Sequence, residues 1–198
     1  MSTAAATART ARRSHVAPCV TAALAGALLA IALGFALGAT REERWLFATR
    51  YTARFSFPIF LAAFTASSWK RLFPGEFTRS LVRARRGIGL GFATAHTVHL
   101  GALTAYNGIA GQVPSVVTLA GGGLAYFAMF AMAATSNDAS VRALGRNWLR
   151  LHTFGAYWLW FIFFQSYATR VARGMGFFVP ELALALGAIG LRFAARRR

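Results

Sequence analysis

Apolar residues along this chain gather into six runs, separated by short segments that are polar and mostly basic. The first, at about 16–38, carries no charge at all. Others lie at about 52–69, 87–106, 116–135, 148–169 and 175–193. A helix of about 20 residues crosses a hydrocarbon core of roughly 30 Å. The pattern therefore predicts an all-α protein: an integral membrane bundle of six transmembrane helices, forming a single domain over 16–195. A polar, basic tail at 1–15 precedes it and is expected to be disordered.

Two runs need comment. The first exceeds the 7–15-residue apolar core of a cleavable signal, so a retained helix is expected. The second carries Arg50 and Arg54 near its start, with Pro58 shortly after. Arg54 is expected to snorkel to the interface. Pro58 is expected to bend the helix or sit in its first turns. Pro180 falls near the start of the sixth run.

Composition agrees with this pattern. Hydrophobic residues make up 57% of the chain, above the roughly 45–50% of ordinary soluble domains. The net charge of +17 would suit nucleic acid, but the basic residues cluster at the ends of apolar runs, which is how membrane proteins place them. No nucleic-acid partner is expected; anionic lipid headgroups are the matching surface. Sixteen of the 22 basic residues fall in the 1–15 tail, the 70–86 and 137–150 loops and the C-terminal tail. Arg41, Arg44, Arg50, Arg54, Arg170 and Arg173 fall on the other side. The bias puts both chain ends in the cytoplasm, and the location expected is the bacterial inner (plasma) membrane, crossed many times.

Chemistry-bearing residues are few. The acids are Glu42, Glu43, Glu76, Asp138 and Glu181, all in loops or near helix ends. A carboxylate relay or di-iron site inside the membrane is therefore not expected. Cys19 is the single cysteine, which leaves no intramolecular disulfide and no cysteine metal site. Gly87, Gly89 and Gly91 open a membrane helix and do not follow a strand, so they are not a dinucleotide fingerprint; Gly87 and Gly91 are spaced for close helix packing. Histidine is the exception. His96 and His99 fall inside the third run and His152 at the start of the fifth. Imidazole within a membrane is costly and is a haem-iron ligand, while an interhelical hydrogen bond is the plainer role. Tyr157, Trp158, Trp160, Phe161, Phe163 and Phe164 could line a porphyrin or quinone pocket, or simply pack. Gly121, Gly122 and Gly123 could admit a flat macrocycle or a close helix.

Three short motifs carry a family resemblance. Arg85-Arg86-Gly87-Ile88-Gly89-Leu90 is followed by His99, ten residues after Gly89. Trp148-Leu149-Arg150-Leu151-His152 opens the fifth run, and the second ends at Trp69-Lys70-Arg71-Leu72-Phe73-Pro74. Over roughly 45–195 the chain resembles the ferric reductase-like transmembrane domain family, in particular the haem-binding membrane subunit of the bacterial methionine sulfoxide reductase system. The resemblance implies haem b with His99 as the principal ligand and His96 and Gln165 as further candidates, while His152 would serve a separate inner site or pack at the interface. It departs at Gln165, where the family has a second histidine thirteen residues after the His152 position. At 1.5 Å per residue, His99 lies ~20 Å along its helix from Arg86 and Gln165 lies ~22 Å from Arg150, whereas His152 is only ~3 Å from Arg150. His99 is thus level with Gln165, and a single-ligand or weakly six-coordinate iron is implied.

The resemblance implies a b-type haem protein that passes electrons within or across the membrane, drawing on quinol or serving a periplasmic or membrane redox partner. No nicotinamide or flavin domain is expected within it, and the electron donor or acceptor module is expected to be separate. Two other classes fit the pattern: a haem-free structural or assembly subunit, and a small transporter or lipid-modifying enzyme.

Overall fold

The computed structural model describes residues 16–198. The expected tail at 1–15 lies outside the described residues. Among the described residues every regular element is helical: α1 (Val16–Leu37), α2 (Arg41–Leu72), α3 (Glu76–Ile109), α4 (Val116–Ala134), α5 (Asp138–Leu144), α6 (Arg146–Ala172) and α7 (Val179–Arg197), with a 3-10 turn at Gly176–Phe178 before the last. Where the sequence pattern predicts one domain, the chain divides into two compact units, Met1–Val113 and Pro114–Arg198. Among the described residues three stretches are long and apolar enough to cross a membrane: Val16–Leu37, Val116–Ala134 and Gly176–Arg197. Helices α2, α3 and α6 are as long or longer but more polar. α2 carries four arginines in its first half, α3 has two histidines amid its uncharged stretch, and α6 opens on Arg146 and Arg150.

The helices overrun their apolar stretches because hydropathy locates what a membrane could cover, not where the backbone stops coiling. α2 begins at Arg41, not near residue 52. The Thr40 hydroxyl accepts from the Glu43 backbone N–H at 3.1 Å. The Glu43 carboxylate in turn accepts from the N–H groups of Ala39 and Thr40, at 3.0 and 3.3 Å. This reciprocal cap satisfies donors that a helix start otherwise leaves open. α3 similarly begins at Glu76, well before residue 87. At 32 and 34 residues, α2 and α3 run ~48 and ~51 Å. Pro58 sits in the middle of α2, where it cannot donate to the Arg54 carbonyl. Arg54 itself lies ~20 Å along the helix from Arg41, half-buried and far from the helix start where the sequence pattern places it. α5, unforeseen in the sequence, is a short helix capped by Asn137, whose side-chain oxygen accepts from the Ser140 N–H at 2.8 Å.

In the first unit α1, α2 and α3 pack on one another through small residues. Ala23, Ala27 and Ala95 form the buried centre, flanked by Phe55, Ile59 and Val98. Glycines set the spacing. A Cβ on Gly34 would stand 2.3 Å from the Ala48 backbone nitrogen, and one on Gly91 would stand 2.9 Å from the Cys19 carbonyl oxygen. Backbone lies against backbone at both points, as small residues permit.

The second unit is joined differently. Three tryptophans of α6 donate indole N–H groups to main-chain carbonyls of its neighbours: Trp148 to Thr135 at 2.9 Å, Trp158 to Gly121 at 3.1 Å and Trp160 to Ala185 at 2.9 Å. Gly145, at φ +48°, makes the tight passage from α5 to α6 in a conformation that favours glycine. Much of α4 and α7 is exposed apolar surface, including Val116, Val117, Phe127, Leu184 and Phe193.

Candidate functional site

The histidines of α3 lie among the most buried part of the first unit. Ala95 and Val98, beside them in sequence, pack with Ala23 and Ala27, the middle of α1. His96 is 8% exposed and His99 is half-buried. Their ring centroids stand 4.8 Å apart, and His96 also stacks on Phe92 at 5.2 Å. Three-residue spacing puts the two rings on adjoining parts of one helix face.

Opposite them on α2 stand Thr52 and Ser56, one turn apart and both fully buried. Thr52 Oγ1 lies 3.1 Å from His99 Nδ1 and 2.7 Å from the Ala48 carbonyl. Ser56 Oγ lies 2.9 Å from His96 Nδ1 and 3.1 Å from the Ala53 carbonyl. A hydroxyl has one proton and a carbonyl can only accept. Both contacts of each hydroxyl hold at once only if it donates to the carbonyl and accepts from the ring. Nδ1 of His96 and of His99 then carries the proton, and Nε2 carries the lone pair. Fixing one ring nitrogen by a hydrogen bond so that the other can ligate is the usual arrangement behind a metal-bound histidine.

His152, in the second unit, has the reverse arrangement. Its Nε2 lies 3.1 Å from Thr135 Oγ1, and that hydroxyl donates to the Ala131 carbonyl at 2.7 Å. Nε2 is therefore the protonated nitrogen. The ring also stacks on Trp148, centroids 4.0 Å apart. His152 ties α6 to the end of α4, and ligation through Nε2 would need that bond to break. Gln165, thirteen residues further along α6 and ~20 Å away, is exposed, while Phe163 and Tyr167 on either side are buried. The structure thus brings His96 and His99 together, and holds His152 and Gln165 apart along one helix.

Thr52 and Ser56 are the residues that the sequence pattern left out. Their signal was present: two hydroxyls four apart in an apolar stretch, matching two histidines three apart in the next. Of the α6 aromatics, Tyr157, Trp158 and Trp160 bond to neighbouring helices. Gly121 lends its carbonyl to Trp158, and the carbon a side chain would begin with would meet Ile162 at 3.4 Å.

Among the described residues no three His, Cys, Asp or Glu side chains gather to hold a bare metal ion. A haem iron asks less, because the porphyrin supplies four nitrogens and the protein one or two. His99, half-buried with its lone pair on Nε2, has the donor chemistry of such a ligand. No known family, curated protein or solved structure matches this chain.

Proposed function

We propose that the chain is a membrane-embedded b-type haem protein of the ferric reductase-like kind, carrying electrons to a separate partner reductase. The observation that supports this is the histidine pair, His96 buried and His99 half-buried, whose Nδ1 atoms are tied to Ser56 and Thr52, so that the lone pair falls on Nε2. His99 would be the principal residue holding the haem iron, His96 the runner-up, and His152 would serve a separate inner site or the α4–α6 joint. Haem supplies one-electron chemistry when bound. The protein's part is to fix the imidazole orientation, to exclude water with Phe92 and the alanines of α1, and to surround the ring with low-dielectric packing. In this reading the first unit offers the iron a single histidine. In this reading six helices cross a bacterial inner membrane with both chain ends in the cytoplasm. Reporter fusions at Gly111 and at the C-terminus should accordingly report opposite sides.

The deciding experiment is a visible spectrum, oxidised and reduced, of protein purified from haem-replete cells. A Soret band that is lost in His99→Ala supports the reading. Absence of haem from the wild-type protein sinks it. In that event a structural subunit is the reading, favoured by the same two hydroxyl–imidazole bonds, which join α2 to α3 with no cofactor.

A further inference from the structure

At one end of the first unit the α2–α3 hairpin outruns α1. Two close contacts set the level: Gly34 against the Ala48 backbone, and Gly91 against the Cys19 carbonyl. Counted along the helices from those points, Val16 is level with roughly Ala66 of α2 and Arg86 of α3. Arg85 agrees, since its guanidinium donates to the Ala63 carbonyl and the Ser67 hydroxyl, at 3.0 and 3.3 Å. α1 has 22 residues, or ~33 Å of apolar helix, which matches a hydrocarbon core of roughly 30 Å. In a bilayer that α1 spans, its start marks one edge of that core. Phe73 and Phe77, at the tip of the hairpin, lie ~10 and ~14 Å beyond the edge. An average helix tilt of about 20° removes only ~1 Å of this. The headgroup layer is about 5–8 Å deep on each side, so the tip stands clear of it.

What the tip carries does not suit water. Phe73 is 57% exposed and Phe77 78%. Trp69, one turn below Phe73, is also exposed, with the two ring centroids 5.5 Å apart. Trp69 sits ~5 Å beyond the edge, at headgroup depth, where tryptophan is enriched. Phe73 and Phe77 are too far out for that account. They are also held in place. The buried Thr78 hydroxyl donates to the Phe73 carbonyl at 2.9 Å and accepts from the Gly75 N–H at 3.1 Å. A turn fixed in this way loses little freedom when a partner covers it. Lys70, Arg71, Arg79 and Arg83 are exposed on the same end of the hairpin. Arg79 pairs with Glu76 at 3.1 Å, and Arg83 donates to Ser80 Oγ at 2.6 Å. Glu76 is the single acid there, so the tip is strongly basic. A second copy of this chain would bring like charge against like, which costs affinity.

We propose that the α2–α3 turn is a docking tip for a protein partner outside the bilayer, one that offers an apolar pocket to Phe73 and Phe77 and carboxylates to the four bases. Aromatic anchors within a charged rim are the usual anatomy of such a contact, and this one stands whether or not haem binds. The test uses the full chain in nanodiscs of phosphatidylglycerol and phosphatidylcholine. Depth is read first. A nitroxide is placed at Phe77→Cys in a Cys19→Ala background and, for comparison, at Phe127→Cys in the apolar stretch of α4. The label at position 77 should collide with a water-soluble nickel chelate, and the label at position 127 with dissolved oxygen. Oxygen access at 77 equal to that at 127 would mean that lipid covers the tip, and would overturn the protein partner. Docking is read next, with a displayed library of random peptides as the probe. Selected peptides should combine acidic with apolar residues. Phe73→Ser with Phe77→Ser should weaken them roughly tenfold or more. Lys70→Glu with Arg71→Glu should cost roughly tenfold at low salt and much less at high salt. Val113→Ser, at an apolar side chain 90% exposed elsewhere, should change binding less than about twofold. Every side chain changed for the docking measurement is exposed, so these variants keep the fold. A library that yields no binder, or binders that the Phe73→Ser, Phe77→Ser variant holds as well, would overturn the tip. Equal loss in Val113→Ser would show unspecific adhesion and overturn it too.

Discussion

In the first unit, helices meet through what is missing. Gly34 and Gly91 bring main chain against main chain, and two buried hydroxyls meet two imidazoles, Thr52 with His99 and Ser56 with His96. In the second unit, helices meet through what protrudes. Trp148, Trp158 and Trp160 each span to a neighbour's carbonyl, and Gly122 and Gly123 of α4 face open space. The contrast shows two ways of holding polar and apolar helices together. Close approach fixes a ring to within a hydrogen bond's tolerance and leaves it no other pose, which suits a ligand. Long indole struts tolerate small shifts, which suits a scaffold. It also explains why two histidines are poised alike in the first unit and the third is turned the other way.

Substitutions at the histidines should show the largest difference. His99→Ala should abolish the haem spectrum at its site. His152→Ala should leave that spectrum and lose the Thr135 bond and the Trp148 stacking. The reverse result, in absorbance spectra of the purified variants, would undo the assignment of roles.

Next in size are the glycines. Gly34→Ala puts a methyl into the Ala48 backbone, which cannot yield as a side-chain tip can, and should cost about 1–3 kcal/mol. Gly123→Ala, with no atom within 4 Å of the new carbon, should be neutral or gain up to about 1 kcal/mol from helix propensity. Unfolding in mixed detergent measures both, and equal effects would erase the contrast between the units.

Thr52→Val preserves shape and removes the acceptor for His99 Nδ1. Haem affinity should fall about 10-fold, the lower end for loss of a ligand's supporting hydrogen bond. An unchanged affinity would leave Thr52 a packing residue only. The smallest effect is expected for Trp158→Phe, which removes the N–H donated to Gly121. It should cost about 0.6 kcal/mol, the mean for hydrogen bonds between membrane helices. A loss of several kcal/mol there would mean that the indole is no adjustable strut.

The pattern of apolar runs foretold an all-helical chain and the positions of α1 and α4 nearly to the residue, because those helices are apolar from end to end. It misplaced the start of α2, since Arg41 to Arg54 reads as loop when judged by hydropathy. Thr40-x-x-Glu43, a local capping signal, marked the start correctly. Pro58 misled in the same way, being held inside a helix that Phe57 and Phe60 bury on either side of it. Of the site, the sequence displayed the histidines but not their protonation. Which nitrogen bears the proton depends on Thr52, Ser56 and Thr135, residues that come near only when helices pair. The division into two units was not legible, because nothing in composition separates residues 113 and 114.

The direction of the hydroxyl bonds has one more result. Two imidazoles 4.8 Å apart in the middle of a helix bundle would ordinarily serve as stepping stones for protons. Here the route through each Nδ1 ends at a main-chain oxygen. The Thr52 hydrogen points to the Ala48 carbonyl and the Ser56 hydrogen to the Ala53 carbonyl, and a main-chain oxygen has no exchangeable hydrogen to pass on. If the proposed haem sits here, the hydroxyls that orient the rings would pass no proton onward through Nδ1 while electrons cross.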